Sequence, residues 1–316
     1  MCATPTTRSL IPPILQTPAP ATPFAGAGEI CALLAACCWG VATVYFTLAF
    51  RKYRTEDAVL IKNFGGAVAL GLLAWWLGAD REGAVPTGST LGWLIFSGFL
   101  GLGIGDWLYF VALAHIGVGR TMILTQTLPI ATAIAAWFTH GEVLSPLQWL
   151  GALLIVAGGY VAESRRESRG RADTIGVLAA FGAVVALTIG NVTMSEGVRG
   201  SGVISGASIR LAAGAFTVFM ISVLRGEGKR TLQVSTSGKA WRALLLPSVL
   251  GTWLGMSFLA GGFKWAKQGV ASALAGATPL ISIPLAVVML GEKPGARGWA
   301  GTGLVVIGVA VLGLAV

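Results

Sequence analysis

Ten long stretches of this chain carry almost no charged side chains, at about 30–50, 57–79, 91–114, 120–140, 146–163, 174–194, 203–224, 241–263, 269–290 and 297–315. A helix of about 20 apolar residues crosses the ~30 Å hydrocarbon core of a bilayer. Composition agrees, since 55% of the 316 residues are hydrophobic and only 11% are charged, too few to keep so much surface in water. The sequence therefore predicts an all-α membrane protein with ten transmembrane helices. The fifth and tenth runs are short and are expected to stand nearly upright. The connections leave no room for a second, soluble domain.

Residues 1–27 hold six prolines, five threonines and a single basic residue, Arg8. Such a segment cannot bury enough surface to fold and reads as a disordered tail. It is not a signal peptide, because the apolar run after it continues as the first membrane helix. The net charge of +9 lies in the loops flanking the helices, which points to anionic lipid headgroups and away from nucleic acid. Cys31, Cys37 and Cys38 in the first run and Cys2 in the tail have neither zinc-site nor disulfide spacing, and the three in the run read as small packing residues.

Sliding the chain against itself by about 150 positions aligns a long stretch without a gap. Gly101, Gly105, Gly119 and Leu124 meet Gly251, Gly255, Gly269 and Leu274; Pro129 meets Pro279; Gly141-Glu142 meets Gly291-Glu292; Trp149, Gly151 and Gly158 meet Trp299, Gly301 and Gly308. Nearer the start of each half the offset is about 148, and Ile61-Lys62 meets Ile209-Arg210. Agreement of proline, tryptophan and Gly-Glu together signals a duplication, with units at 28–163 and 174–316 joined by a linker at 164–173. Five helices per unit is an odd number, so the second unit enters the membrane from the opposite face. That inverted topology suits a transporter, with substrate bound near mid-membrane between the halves.

The stretch YFVALAHIGVGRTMILTQTLPIATAIAAWFTHGEVLSPLQWLGALLIVAGG resembles the EamA repeat of the drug/metabolite transporter superfamily, as does its second copy, GVASALAGATPLISIPLAVVMLGEKPGARGWAGTGLVVIG. Trp39-Gly40 is similar to the opening of that repeat. The resemblance spans roughly residues 30–315 and implies export or exchange of a small metabolite such as an amino acid, an amino-acid derivative or a drug. It also implies both termini in the cytoplasm, in a membrane expected to be the bacterial cytoplasmic one. Counting Lys and Arg by face gives the opposite answer. The termini and the loops on their side hold five, the loops on the other side hold fifteen, and Lys62 and Arg210 inside helices complete the 22. The positive-inside rule thus puts the termini outside. Orientation stays open, with the weight slightly on the charges.

Asp106 stands near the middle of the third helix, in a run from Leu91 to Ala114 with no other charge. An aspartate at that depth costs ~2.5–3.5 kcal/mol on insertion scales. Either neighbouring backbone and hydroxyls satisfy it for packing alone, or it faces a central cavity and binds a substrate amine or a coupling proton. Lys62, about 8 Å deep from the same face at ~1.5 Å per residue, either reaches Asp106 or snorkels to the interface. Arg210, its repeat counterpart, offers the same choice at the opposite face, so that the two cations would mark the ends of a path for an anionic or zwitterionic substrate. Tyr109 follows Asp106 by three residues and shares its face. Trp39 lies deep in the first helix and is a further cavity candidate, whereas Trp75, Trp76, Trp93, Trp149, Trp241 and Trp299 fall near run ends, as in an interfacial belt.

Pro129 and Pro279 interrupt the fourth and ninth helices at equivalent depth, freeing the carbonyls of Thr125 and Ala275. Such breaks act as kinks, hinges or binding points, and Thr125 and Gln126 add polar groups there. Gly101-xxx-Gly105 and Gly251-xxx-Gly255 read as close helix packing, and Glu142 and Glu292 as caps or loop anchors. His115 and His140 lack metal-ligand spacing, and no nucleotide-binding loop occurs, so neither metal nor cofactor is expected. Transport would then be secondary, with a small-molecule substrate, lipids and possible protons as partners, in a monomer or homodimer.

Two other classes are weighed. Gly103-Ile104-Gly105-Asp106 spells the GxGD motif of intramembrane aspartyl proteases, but that chemistry needs a second membrane-embedded carboxylate, and Asp57, Asp80 and Asp173 all sit at helix boundaries or in loops. A membrane sensor or scaffold on the same fold is the other.

Overall fold

The computed structural model of the protein describes residues 22–49, 53–78, 86–163, 173–291 and 295–315. The expected tail up to residue 21, the linker up to residue 172, and Glu292 lie outside the described residues. Nine helices among these are long and apolar enough to cross a membrane: α1 (Ala27–Phe46), α2 (Glu56–Trp76), α3 (Gly88–Leu113), α4 (Arg120–His140), α6 (Thr174–Arg199), α7 (Val203–Leu224), α8 (Gly238–Trp265), α9 (Gln268–Met289) and α10 (Gly295–Leu314). The fifth, α5 (Pro146–Ala162), is apolar but shorter. The tenth run was expected to be as short; α10 instead has 20 residues, because its helix starts at Gly295. Side chains exposed on these helices are largely apolar, among them Phe64, Leu72, Phe181 and Phe216, as a lipid-facing surface requires.

The helices start and stop where local chemistry dictates. Asp173 caps α6 by accepting from the Ile175 N–H. A bond with the His115 ring holds its carboxyl below the usual range. Gly141 and Gly291 end α4 and α9 in the left-handed conformation, each at φ +66°, as a glycine after the last turn permits. Between α7 and α8 a short connecting helix, Gly228–Ser235, lies against the start of α2. There Arg54 bonds Glu227 at 2.7 Å and draws its carboxyl pKa down, Arg225 bonds Glu56 at 3.1 Å, and Arg230 bonds Asp57 at 3.2 Å.

Packing repeats between the halves. Gly101 on α3 approaches Gly190 on α6, while Gly251 on α8 approaches Ala42 on α1. Gly105 lies against Leu187, and its counterpart Gly255 against Trp39. Offsetting by 148 carries Trp39 to Leu187 and Ala42 to Gly190, so each half packs its third helix on the first helix of the other in the same register.

The two glycine pairs do pack closely, but not as α-helical stripes. Gly98–Gly105 in α3 and Ser248–Leu254 in α8 are π-helical, at matched positions of the two halves. A π turn has wider hydrogen-bond spacing than an α turn and often marks functional sites. The first of the two segments packs tightly: a Cβ on Gly98 would fall 2.2 Å from the Arg210 carbonyl oxygen, and one on Gly103 2.4 Å from Thr217.

At the face where α6 ends, an ionic cluster ties the halves together. The Nε2 of His140 lies 2.7 Å from Oε1 of Glu196, with both side chains almost fully buried. Arg199 donates to Glu142 at 3.0 Å, and the other Glu142 oxygen accepts the Gln268 N–H at 2.7 Å. Gln268 is the first residue of α9, so Glu142 caps a helix of the opposite half. The loop-anchor reading of Glu142 thus acquires a specific form. Glu142→Ala is expected to cost about 1–3 kcal/mol, the penalty for stranding a buried donor and its charged neighbour. Thermal unfolding in detergent would check it, and an unchanged midpoint would count against the cap.

Candidate functional site

A cavity of about 390 Å³ lies between the halves, lined by α1, α2, α3, α4, α6, α7, α8 and α9. Its charged lining consists of Lys62, Asp106 and Arg210. Asp106 leaves the π segment as the first residue of regular α-helix, one turn before Tyr109, which also lines the cavity. The Lys62 ammonium donates to Asp106 Oδ2 at 3.0 Å and to Asn63 Oδ1 at 3.1 Å. Of the two readings for Lys62, the structure has the contact and not the snorkel. The side chains are 13% and 19% exposed, so this is a partly buried pair facing the cavity.

Arg210, a cavity candidate from the sequence, lines the same cavity as Asp106, but its expected position at the opposite face is corrected: its residue is 1% exposed and marks no outer end of a path. The cause is that α7 packs between α2 and α3, which leaves this side chain no direct route to an interface. Its Nε donates to Ser97 Oγ at 2.9 Å and its Nη1 to the Met194 thioether at 2.9 Å. Ser97 in turn donates to the Gly190 carbonyl at 2.6 Å, and this chain of bonds fixes the guanidinium.

Trp39 lines the cavity and donates its indole N–H to the Gly251 carbonyl at 2.8 Å, inside the π segment of α8. It therefore supports the wall as well as forming it. The proline positions mark true breaks. α4 is interrupted at Gln126 and Thr127 and resumes at Leu128, with Pro129 in its first turn, and α9 is interrupted at 276–278 and resumes at Pro279. Pro129, Pro279, Thr125 and Gln126 all line the cavity. The freed Ala275 carbonyl accepts from the Thr278 hydroxyl at 3.1 Å. The Thr125 hydroxyl bonds back to the Thr121 carbonyl at 3.0 Å, so it belongs to its own helix.

Ser97, Asn191, Met194, Thr252 and Phe263 were not anticipated. Ser97 and Met194 hold Arg210, and Asn191, Thr252 and Phe263 line the cavity. Glu196 lies beyond the sixth apolar run, which stops at 194, whereas the helix continues to Arg199. A run interrupted by one acid and resumed by Gly197-Val198 is the signal that would have found it.

Apolar spans in two matched halves, enclosing a small charged cavity, define a polytopic membrane protein with an internal solute-sized site. The chain matches the family model of the EamA-like transporter family twice, over residues 26–162 and 174–314, and it belongs to that family. A crystal structure of another protein superposes with a TM-score of 0.75 at 20% sequence identity, covering 92% of this chain and 97% of that one, a likeness of fold. No curated protein matches the chain in sequence.

Proposed function

We propose that this protein is a secondary-active transporter, an exporter or exchanger of a small metabolite such as an amino acid or amino-acid-like compound, working by alternating access around the central cavity. The observation that carries this reading is the cavity itself, with a Lys62–Asp106 pair, a buried Arg210 and two helix breaks converging from both halves. Ten spans in two halves of opposite sense fit the contacts. α1 begins against Ala266, at the face where Arg199 and Glu142 meet, whereas α6 begins at Asp173 beside His115, at the other face.

In such a cycle the ionic cluster of Glu142, Arg199, His140 and Glu196 closes one face, and passage there requires it to part. The two-carboxylate protease reading has no support from the cavity, where Asp106 is the one acid in the lining among the described residues, while Asp57 and Asp173 are bonded to Arg230 and His115. We place the protein in a bacterial cytoplasmic membrane, with the strongly basic face inside.

Counterflow tests the proposal. Purified protein in liposomes preloaded with single unlabelled amino acids and amino-acid derivatives should draw in the matching labelled compound faster than protein-free liposomes do. A panel in which no compound is accelerated, by protein that elutes as one sharp species, would sink it.

A further inference from the structure

The duplication is broken in the charged lining of the cavity. Lys62 corresponds to Arg210, but Asp106 corresponds to Met256. The first half therefore supplies a cation and its carboxylate, and the second half a cation alone. Arg210 has no carboxylate within ion-pair distance among the described residues; its partners are one hydroxyl and one thioether, the latter a weak acceptor. Its Nη2 bonds no described residue and lies beside Gly101, where a Cβ would come within 3.0 Å of it. A guanidinium in this setting is costly in the membrane interior unless an anion meets it. Asp106 bonds Lys62, and the lining as a whole carries a net charge of one positive unit (two cations, one anion).

We infer that Arg210 is the docking point for the anionic group of the substrate, and that the substrate is a net monoanion: a single carboxylate on an apolar body, such as an amino-acid-like compound whose amine is absent or acylated. The inference rests on the transport reading above and narrows it. A free zwitterion brings an ammonium that must compete with Lys62 for Asp106. A phosphate monoester brings two charges to a site with one in excess. Arginine suits a carboxylate because its planar fork gives two parallel charge-assisted bonds. Much of the remaining wall is apolar or aromatic, with Trp39, Phe46, Tyr109, Leu187 and Phe263 available to the body of the molecule, and Thr125, Gln126, Asn191 and Thr252 add uncharged polar groups.

Four compounds with one body separate the charge states: N-acetylphenylalanine (monoanion), phenylalanine (zwitterion), N-acetylphenylalaninamide (neutral) and phenylalaninamide (cation). A matching leucine series provides a second body. Binding to the purified full-length protein at pH 7 is read by the rise in Tm and by titration calorimetry. The monoanion should bind about tenfold or more tighter than each of the others, as the gain of one charge-assisted pair implies. Arg210→Gln should erase that preference, and Arg210→Lys, which keeps the charge and loses the fork, should retain it with weaker binding. If the glutamine variant fails to fold, the wild-type series and the lysine variant still decide.

Equal binding of the zwitterion or the neutral amide overturns the inference. So does a monoanion preference that survives in Arg210→Gln. Failure of every member of both series also overturns it, while counterflow of some other solute would leave the transport reading standing.

Discussion

Replacing Lys62 with methionine should lower stability by about 3 kcal/mol and stop transport, because it strands Asp106 in a cavity wall with no other cation within 4 Å among the described residues. Removing one partner of a buried pair typically costs ~3–5 kcal/mol, and the lower end applies here because 13% and 19% of the two side chains remain exposed. The double variant Lys62→Met, Asp106→Leu should regain most of that stability, since apolar residues of similar size can replace a buried pair at little cost. It should not regain flux. Thermal unfolding of wild type, both single variants and the double variant gives the coupling, and counterflow gives the function. If Lys62→Met melts within a degree of wild type, the pair is a surface contact and the cavity assignment of Asp106 loses its main support. If the double variant transports normally, the pair holds the fold alone.

That pair was within reach of the sequence, because depth along a helix is simple arithmetic and both residues enter from the same face. The duplication was equally plain, since proline, tryptophan and glycine at a fixed offset survive inspection in a chain of 45 glycines. Three features were not accessible. The first π segment brings Gly98 and Gly103 against Arg210 and Thr217, which lie more than a hundred residues away. A periodicity argument presupposes α geometry and reads Gly101 and Gly105 as one stripe. The seat of Arg210 depends on α2 and α3 packing around its helix, which distance to the nearest interface along that helix does not reveal. The His140–Glu196 contact joins residues 56 apart across the two halves, and neither residue carries a motif. Pattern thus gave the scaffold and the counterpart positions, while the site depends on which faces of the two halves meet.

The joint between α5 and α10 makes the second large prediction. These helices carry matched glycines, and the pairing is reciprocal: Gly158 faces Gly301, and Gly151 faces Gly308. A Cβ on Gly301 would stand 2.4 Å from the Ala162 nitrogen and 2.5 Å from the Gly158 carbonyl oxygen. Those neighbours are backbone, so no side chain can rotate aside and the helices themselves must separate. Without a hydrophobic drive between helices in lipid, close backbone contact is the main attraction available to such a joint. Overpacking typically costs ~1–3 kcal/mol, and a backbone clash belongs at the upper end. Gly301→Val should therefore cost about 3 kcal/mol, whereas Gly303→Ala, two residues on and with nothing within 4 Å of its added Cβ, should be neutral or slightly stabilising. Thermal unfolding in detergent distinguishes them. Equal melting of the two variants would mean that α5 and α10 are held by something other than their glycines. A selective loss at Gly301 with counterflow retained below the new Tm would place this pair outside the moving parts, as a clamp on the two halves.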